Sequence, residues 1–421
     1  MRVMKNSNIQ WIGEIPDNWN LNKIGAIYEE RNIKVSDAEY EPLSVTKNGI
    51  VPQLDTAAKT DNGDNRKLIR KNDFVINSRS DRRGACGISE RDGSCSLINT
   101  VLRPRKEVIN EYFNYVFKTD CFADEFYRWG HGIVNDLWTT KWTDMKNIYI
   151  PFPDLHEQQS IALYLNSKCQ IIDDAISKHE EIIERLKEYR LSLITETLIN
   201  GLEPQPEMVY SGIVPIGDIS SKAHLKKLKY IAEITDGTHD TPAYVDESDF
   251  SYPLVTSKSI INGHIDISLA NHISREDYEA INYRSNVNKY DIIMPMIGTV
   301  GNPAIVDIEP NFAIKNVALI RTKGNLVLSK YIFYFLSSLC VIRQFDYLNR
   351  GGVQSFISQE QIKNLVFIEH NNINEIVEYL DIATTSIDKD INMRMMLVEL
   401  LKQYKSSLIY EVVTGKRELS L

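Results

Sequence analysis

The chain has 421 residues, 43% apolar and 25% charged, with a net charge of −9. That is ordinary globular composition, long enough for two to three domains. No run of about 18 apolar residues occurs, so no membrane span is expected, and the opening MRVMKNSNIQ lacks the apolar stretch of a signal peptide.

The acidity is unevenly spread. Residues 1–154 carry 22 Lys and Arg against 22 Asp and Glu, and residues 222–370 carry 15 against 16. The excess acid therefore lies in 155–221 and 371–421, and the two large segments are neutral. A neutral domain can still present a basic groove, so the charge permits nucleic-acid binding without pointing to it. Five cysteines (Cys86, Cys95, Cys121, Cys169 and Cys340) show no CxxC spacing, which reads as a reduced thiol set in a cytoplasmic protein.

In chain order the first segment, 1–154, holds short apolar runs between turn residues: DFVINS, LINTVLRP and MKNIYIPFP, interrupted by the helical EYFNYVF. This is a mixed pattern with strands in the majority. Residues 155–201 read as one long helix, free of Pro and Gly from 156 to 200 and stopped at Gly201. Its Leu165, Cys169, Ile172, Ile176, His179, Ile183, Leu186, Arg190 and Leu193 alternate at spacings of four and three. That 3.5-residue period is a coiled-coil seam. A linker at 202–221 leads to a second mixed segment, 222–370, with YPLVTS, YDIIMPMIGTVGNPAIV and VALIRT as strand-like runs and SKYIFYFLSSL as a helix. A second helix follows at 371–416, before a short tail at 417–421. Its expected seam is Ile376, Leu380, Ala383, Ile387, Asp390, Arg394, Leu397, Leu401, Tyr404 and Leu408.

The two halves echo each other. LKEYRLSLITE at 186–196 returns as LKQYKSSLIYE at 401–411, and sliding 161–196 onto 376–411 gives 14 identities in 36 positions. SNIQWIGEIP at 7–16 is similar to SGIVPIGDIS at 211–220. More weakly, KNDFVIN (71–77) aligns with KYDIIMP (289–295), SLINTVLRP (96–104) with AIKNVALIR (313–321), and WGHGIVNDL (129–137) with NRGGVQSFI (349–357). The period is too long for a solenoid. The expected fold class is α+β: two mixed α/β domains separated by two long antiparallel coiled-coil helices, as a tandem duplication with an approximate two-fold axis. Double-stranded DNA has two-fold axes too, and proteins match them with paired readers. Helices whose sequence repeats, joined to domains whose sequences diverge, fit one spacer and two different half-sites.

These residues resemble the DNA-specificity subunits of type I restriction–modification systems (the HsdS family). WIGEIPDNW at 11–19 resembles their opening, and IPFPDLHEQQSIALYL at 150–165 the approach to the first conserved helix. IIDDAI at 171–176 and SIDKDI at 386–391 resemble a step within each helix, and DGTHDTP at 236–242 the start of a target recognition domain. The resemblance spans essentially the whole chain. It implies two target recognition domains reading an asymmetric bipartite site, and helices that dock two methyltransferase subunits, with Glu157 and Gln158 as partner-binding candidates. It also implies restriction/motor subunits that join through them. S-adenosylmethionine would belong to the methyltransferase, ATP and Mg to the motor nuclease, and no cofactor or catalysis to this chain. The sequence accords with that: it has no GxxxxGK[ST] and no HExxH, and NPAI at 302–305 lacks the second Pro and the aromatic of an adenine-methylase motif. The specificity subunit of a related type II system shares this architecture. A coiled-coil scaffold carrying two protein-binding domains is the alternative from another class.

Candidate DNA contacts follow from residue chemistry. RSDRRG at 79–84 supplies Arg79, Asp81, Arg82 and Arg83, which can grip phosphates or pair with base edges. Arg66 and Lys67 lie in DNGDNRK, and Arg128, Trp129 and His131 in the first Gly-containing tract. The second domain offers Thr238 and His239; Ser257, Lys258 and Ser259; and Arg350, Gln354 and Ser355 in NRGGVQS, where glycines allow close approach to a phosphate. Lys315 and Asn316 could instead be structural.

Overall fold

The structure, a computed structural model, describes residues 2–54, 63–79, 82–132, 138–297, 301–348 and 356–419. It divides into two compact units, Met1–Glu180 with Met395–Leu421, and Glu181–Arg394.

The first unit opens with a hairpin, Met4–Asn6 paired to Glu14–Pro16. Its loop is tied by Ser7 N–H donating to the Gly13 carbonyl at 3.0 Å, and by the Ile12 and Gly13 N–H groups donating to Ile9. Strand Asn20–Lys23 pairs with Tyr149–Phe152, bringing the two ends of the segment together. An antiparallel sheet follows in the order Cys86–Ile88, Phe74–Asn77, Asn99–Pro104, Tyr28–Glu30. Helix Asn110–Lys118 buries Tyr112, Phe113, Val116 and Phe117, which share one face at helical spacing. Their rings pack edge-on or tilted against Tyr28, Phe74 and Phe122. Thr119 caps the next helix, Asp120–Arg128, by accepting from Phe122 N–H.

The second unit repeats this frame. Its hairpin, Met208–Tyr210 with Asp218–Ser220, carries the same loop: Ser211 donates to Gly217, and Ile216 and Gly217 donate to Ile213. Strand His224–Lys227 pairs with Val366–Glu369. The main sheet runs Ala304–Ile305, Ile292–Pro295, Val317–Arg321, Glu233–Asp236, the same order as in the first unit. Before each central strand one residue turns left-handed, Asn72 at φ 72° and Tyr290 at φ 71°. The aspartate that follows accepts a backbone N–H in both: Asp73 from Arg70 at 2.8 Å and Asp291 from Asn288 at 2.9 Å. The strand partners correct the expected alignment by one residue. Asn99 stands opposite Asn77, and Val317 opposite Pro295, so Asn99 corresponds to Val317 rather than to Asn316.

The long helices run Leu155–Asn200 and Ile373–Val413. Asp154 caps the first by accepting from Glu157 N–H at 2.8 Å, and Gly201 and Gly415, at φ 71° and 73°, close the two C-terminal ends. In the first unit Ile161, Leu165, Ile172 and Ile176 pack with Val398, Leu408 and Val412, Leu401 lies at the edge, and Asp173 pairs with Lys405 at 2.7 Å. In the second, Ile183, Leu186 and Leu193 meet Ile387 and Ile391, Ile194 and Leu198 meet Ile376, Val377 and Leu380, and Arg190 pairs with Asp388 at 2.8 Å. Rising numbers on one helix meet falling numbers on the other, so the contact in each unit is antiparallel. The duplication maps Asp173 onto Asp388 and Arg190 onto Lys405, so one ion pair is the other's repeat, the signature of a self-complementary contact. Partly exposed ion pairs contribute about 0–1 kcal/mol, whereas each buried aliphatic contributes about 1.5–3. The seam carries the stability and the charges select its register.

Every first-helix seam position is at least partly buried as expected. On the second helix the expected row is corrected at Leu397 and Tyr404, which are exposed. Leu380, Ile387, Leu401 and Leu408 keep their places, but Leu397 is 39% exposed and its neighbour Val398 only 7%. Thr384, Ile391, Val398 and Lys405, each one step along from Ala383, Asp390, Leu397 and Tyr404, are the more buried of each pair, and the row continues to Val412. Asp390 instead pairs with Arg394 at 3.0 Å. Glu157 and Gln158 are also reassigned. Gln158 is fully buried, accepting from Ile109 N–H at 3.0 Å and donating to the Pro153 carbonyl at 2.8 Å. Glu157 accepts from the Trp19 indole at 2.6 Å and pairs with Arg2. Both side chains fasten the helix to its own domain. No single helix among the described residues is long and apolar enough to cross a membrane.

Candidate nucleic-acid interface

In the first unit the end of strand Phe74–Asn77 continues into a frame that joins two distant tracts. Ser78 N–H donates to the Ile98 carbonyl at 3.3 Å, and Thr140 N–H donates to the Ser78 carbonyl at 2.9 Å. Arg79 then bridges to Thr139, which also exchanges backbone hydrogen bonds with His131. Arg79, Thr139 and His131, from two distant tracts, therefore share one surface. Trp138 stacks on Tyr127 with ring centroids 5.7 Å apart and donates its indole N–H to the Tyr127 carbonyl at 2.8 Å. Arg79, Arg82 and Arg83 are exposed here. Arg83 pairs with Asp124 at 2.6 Å, Arg128 with Glu125 at 2.7 Å, and His131 lies 3.6 Å from Asp144. The Arg83–Asp124 pair is exposed on both sides, so it holds its cation weakly and exchanges readily for phosphate oxygens, whereas Glu125 is buried.

Two expected contacts are corrected. Arg66 and Lys67 are buried strand residues. The Arg66 guanidinium donates to the Ser94 hydroxyl at 2.8 Å, and the Lys67 ammonium to Glu30 at 3.0 Å and to the Asn99 carbonyl at 2.8 Å. They link the first unit's strands, because a buried charge keeps its partners. Asp81 lies outside the described residues.

The second unit builds the same frame from other side chains. Met296 N–H donates to the Asn316 carbonyl at 3.3 Å, Ile357 N–H to the Met296 carbonyl at 2.9 Å, and Ile297 bridges to Phe356. Beside it Thr238 bridges to Lys315, with Thr238 N–H donating to the Ile314 carbonyl at 3.0 Å. A Cβ on Gly237 would collide with that carbonyl, so only glycine fits there. His239 places Nδ1 3.0 Å from the Asn316 amide oxygen and Nε2 2.9 Å from Asp236. Both partners present acceptor oxygens, an arrangement that favours the doubly donating, protonated ring. Its pKa is raised, first by the Asn316 hydrogen bond and then by Asp236. Arg284 lies 3.4 Å from the same aspartate, and the buried Lys315 ammonium donates to the Thr241 hydroxyl. Ser257 and Lys258 form a single turn capped by Thr256, with Lys258 exposed and Ser259 fully buried. Arg350, Gln354 and Ser355 lie outside the described residues. No cluster of metal-ligating side chains occurs among the described residues.

No protein-family model matches the chain. It is 24% identical over 320 residues to the type I restriction enzyme MjaIX specificity subunit of Methanocaldococcus jannaschii, covering 74% of this chain and 70% of that one. It is 23% identical to the EcoBI specificity subunit of Escherichia coli, covering 62% and 57%, and 22% identical to the EcoKI specificity subunit of strain K12, covering 72% and 65%. Less than two thirds of either E. coli subunit is spanned. Among solved structures, a chain from work on complex assembly and conformational transition of the type I R-M system superposes with TM-score 0.71 at 13% identity, covering 96% of this chain and 99% of that one. The HsdS subunit from Thermoanaerobacter tengcongensis gives 0.51 at 14% identity, covering 96% and 98%. The chain has the specificity-subunit fold.

Several residues of this candidate surface were not singled out from sequence. Tyr127, Trp138 and Thr139 lie about 50 residues from Arg79 and meet it only through the sheet. Ile297 and Phe356 are apolar, yet both are exposed. Asn316, expected to be structural, orients His239.

Proposed function

We propose that this chain is the DNA-specificity subunit of a type I restriction–modification system. It reads an asymmetric, bipartite site on double-stranded DNA and docks two methyltransferase subunits, through which restriction/motor subunits join. It performs no chemistry and acts in the cytoplasm. In this reading S-adenosylmethionine is bound by the methyltransferase, and ATP and Mg by the motor nuclease. One observation carries the proposal: a single backbone frame occurs twice and presents Arg79 beside Thr139 in one unit and Ile297 beside Phe356 in the other. Identical scaffolds with different chemistry at matching positions suit two readers of different half-sites, while the repeated helix contacts suit two copies of one partner.

The test is a methylome. The chain is co-expressed with its neighbouring methyltransferase in an unmethylated host, and modified adenines are mapped. Methyl-adenine confined to one split, asymmetric motif is the expected result. An active, soluble complex that methylates no defined motif refutes the reading and leaves a protein-binding scaffold in its place.

A further inference from the structure

The frame equivalence assigns a chemistry to one position of the second half-site. Ser78 and Met296 correspond, as do Ile98 and Asn316 and then Thr140 and Ile357, because each pair makes the same backbone hydrogen bonds at the same lengths. Arg79 and Thr139 thus correspond to Ile297 and Phe356, which form the matching bridge. In the first unit this position offers a guanidinium and a hydroxyl. In the second it offers two large apolar side chains, 46% and 45% exposed. Leu97 and Ile98, partly exposed in the first unit, are replaced by Lys315 and Asn316. Polar and apolar positions have traded places on one scaffold.

Asn316 brings hydrogen-bonding groups to the frame that carries the apolar pair. The Asn316 carbonyl holds Met296 N–H next to Ile297, and the Asn316 side chain holds His239, with Arg284 sharing its aspartate. Two apolar side chains on a frame shared with the hydrogen-bonding Asn316 offer less apolar area than a protein partner's core contact needs. The pair matches the major groove of DNA, where thymine alone presents a methyl group among hydrogen-bonding edges and phosphates. Resting on the DNA-reading function above, we propose that Ile297 and Phe356 are specificity-determining residues. They receive the C5-methyl group of a thymine in the second unit's half-site, where Arg79 makes a polar contact in the first.

Uracil, which lacks only that methyl group, is the probe. The complex of the full chain with its methyltransferase is titrated with duplexes carrying the methylated motif, each thymine on either strand replaced in turn by uracil. One replacement is expected to weaken binding about fourfold, the worth of one buried methyl group. In the Ile297→Ala/Phe356→Ala variant the thymine and uracil duplexes should bind alike, whereas Phe356→Leu, which keeps an apolar surface, should retain the preference. A preferred motif with no methyl-sensitive thymine, or sensitivity that persists in the double-alanine variant, overturns this inference alone. Absence of any preferred duplex for the wild-type complex overturns the DNA-reading function, and this assignment with it.

Discussion

Replacing Gln158 with alanine separates two roles for the approach to the first long helix. The sequence pattern marks Gln158 for partner binding, but the structure buries it completely. Its amide makes two hydrogen bonds, from Ile109 N–H at 3.0 Å and to the Pro153 carbonyl at 2.8 Å. Truncation leaves both groups unpaired, each at a cost of about 1–3 kcal/mol. Ile109 is only partly buried and recovers some of its loss from water, so the total is about 2–4 kcal/mol. At about 2–4 °C per kcal/mol for a unit of this size, the first unit's melting transition should fall by about 4–16 °C. Differential scanning calorimetry of wild type and Gln158→Ala measures the shift, and titration with the methyltransferase at 15 °C measures binding by folded protein. The structural role requires a lowered transition with unchanged affinity. An unchanged transition with lost affinity would refute the reasoning.

Two further outcomes are expected. Val398→Asp places a charge in the seam and should cost about 3 kcal/mol or more, whereas Leu397→Asp should stay within about 0.5. Chemical denaturation compares them, and equal losses would restore the row expected from sequence. The His239 pKa is raised in the folded state, so its stabilising contacts are fully present below its unfolded value near 6.5 and are lost as pH rises through the folded value. Proton NMR should find the His239 midpoint above the ordinary histidine value and lowered by Asn316→Ala; a midpoint at or below that value contradicts the doubly donating geometry.

The amino-acid sequence by itself determined the duplication, the long helices and the matching succession of apolar runs in the two domains. These are local or periodic properties: an unbroken 3.5-residue pattern, Gly201 and Gly415 as stops, and apolar runs set between turns. Tertiary structure decided what periodicity leaves degenerate. Leu397 and Val398 are both apolar neighbours, and only the burial of Ile391 in preference to Asp390 fixes which of them faces inward. Arg66 and Lys67 look like surface cations because their partners, Ser94, Glu30 and Asn99, are distant in sequence. Arg79 and Thr139, like Ile297 and Phe356, become neighbours only through backbone bridges across about 60 positions of chain. Side-chain chemistry is written in the sequence, but which side chains share a surface is set by long-range strand pairing and burial, and that is where a reader of DNA acquires its specificity.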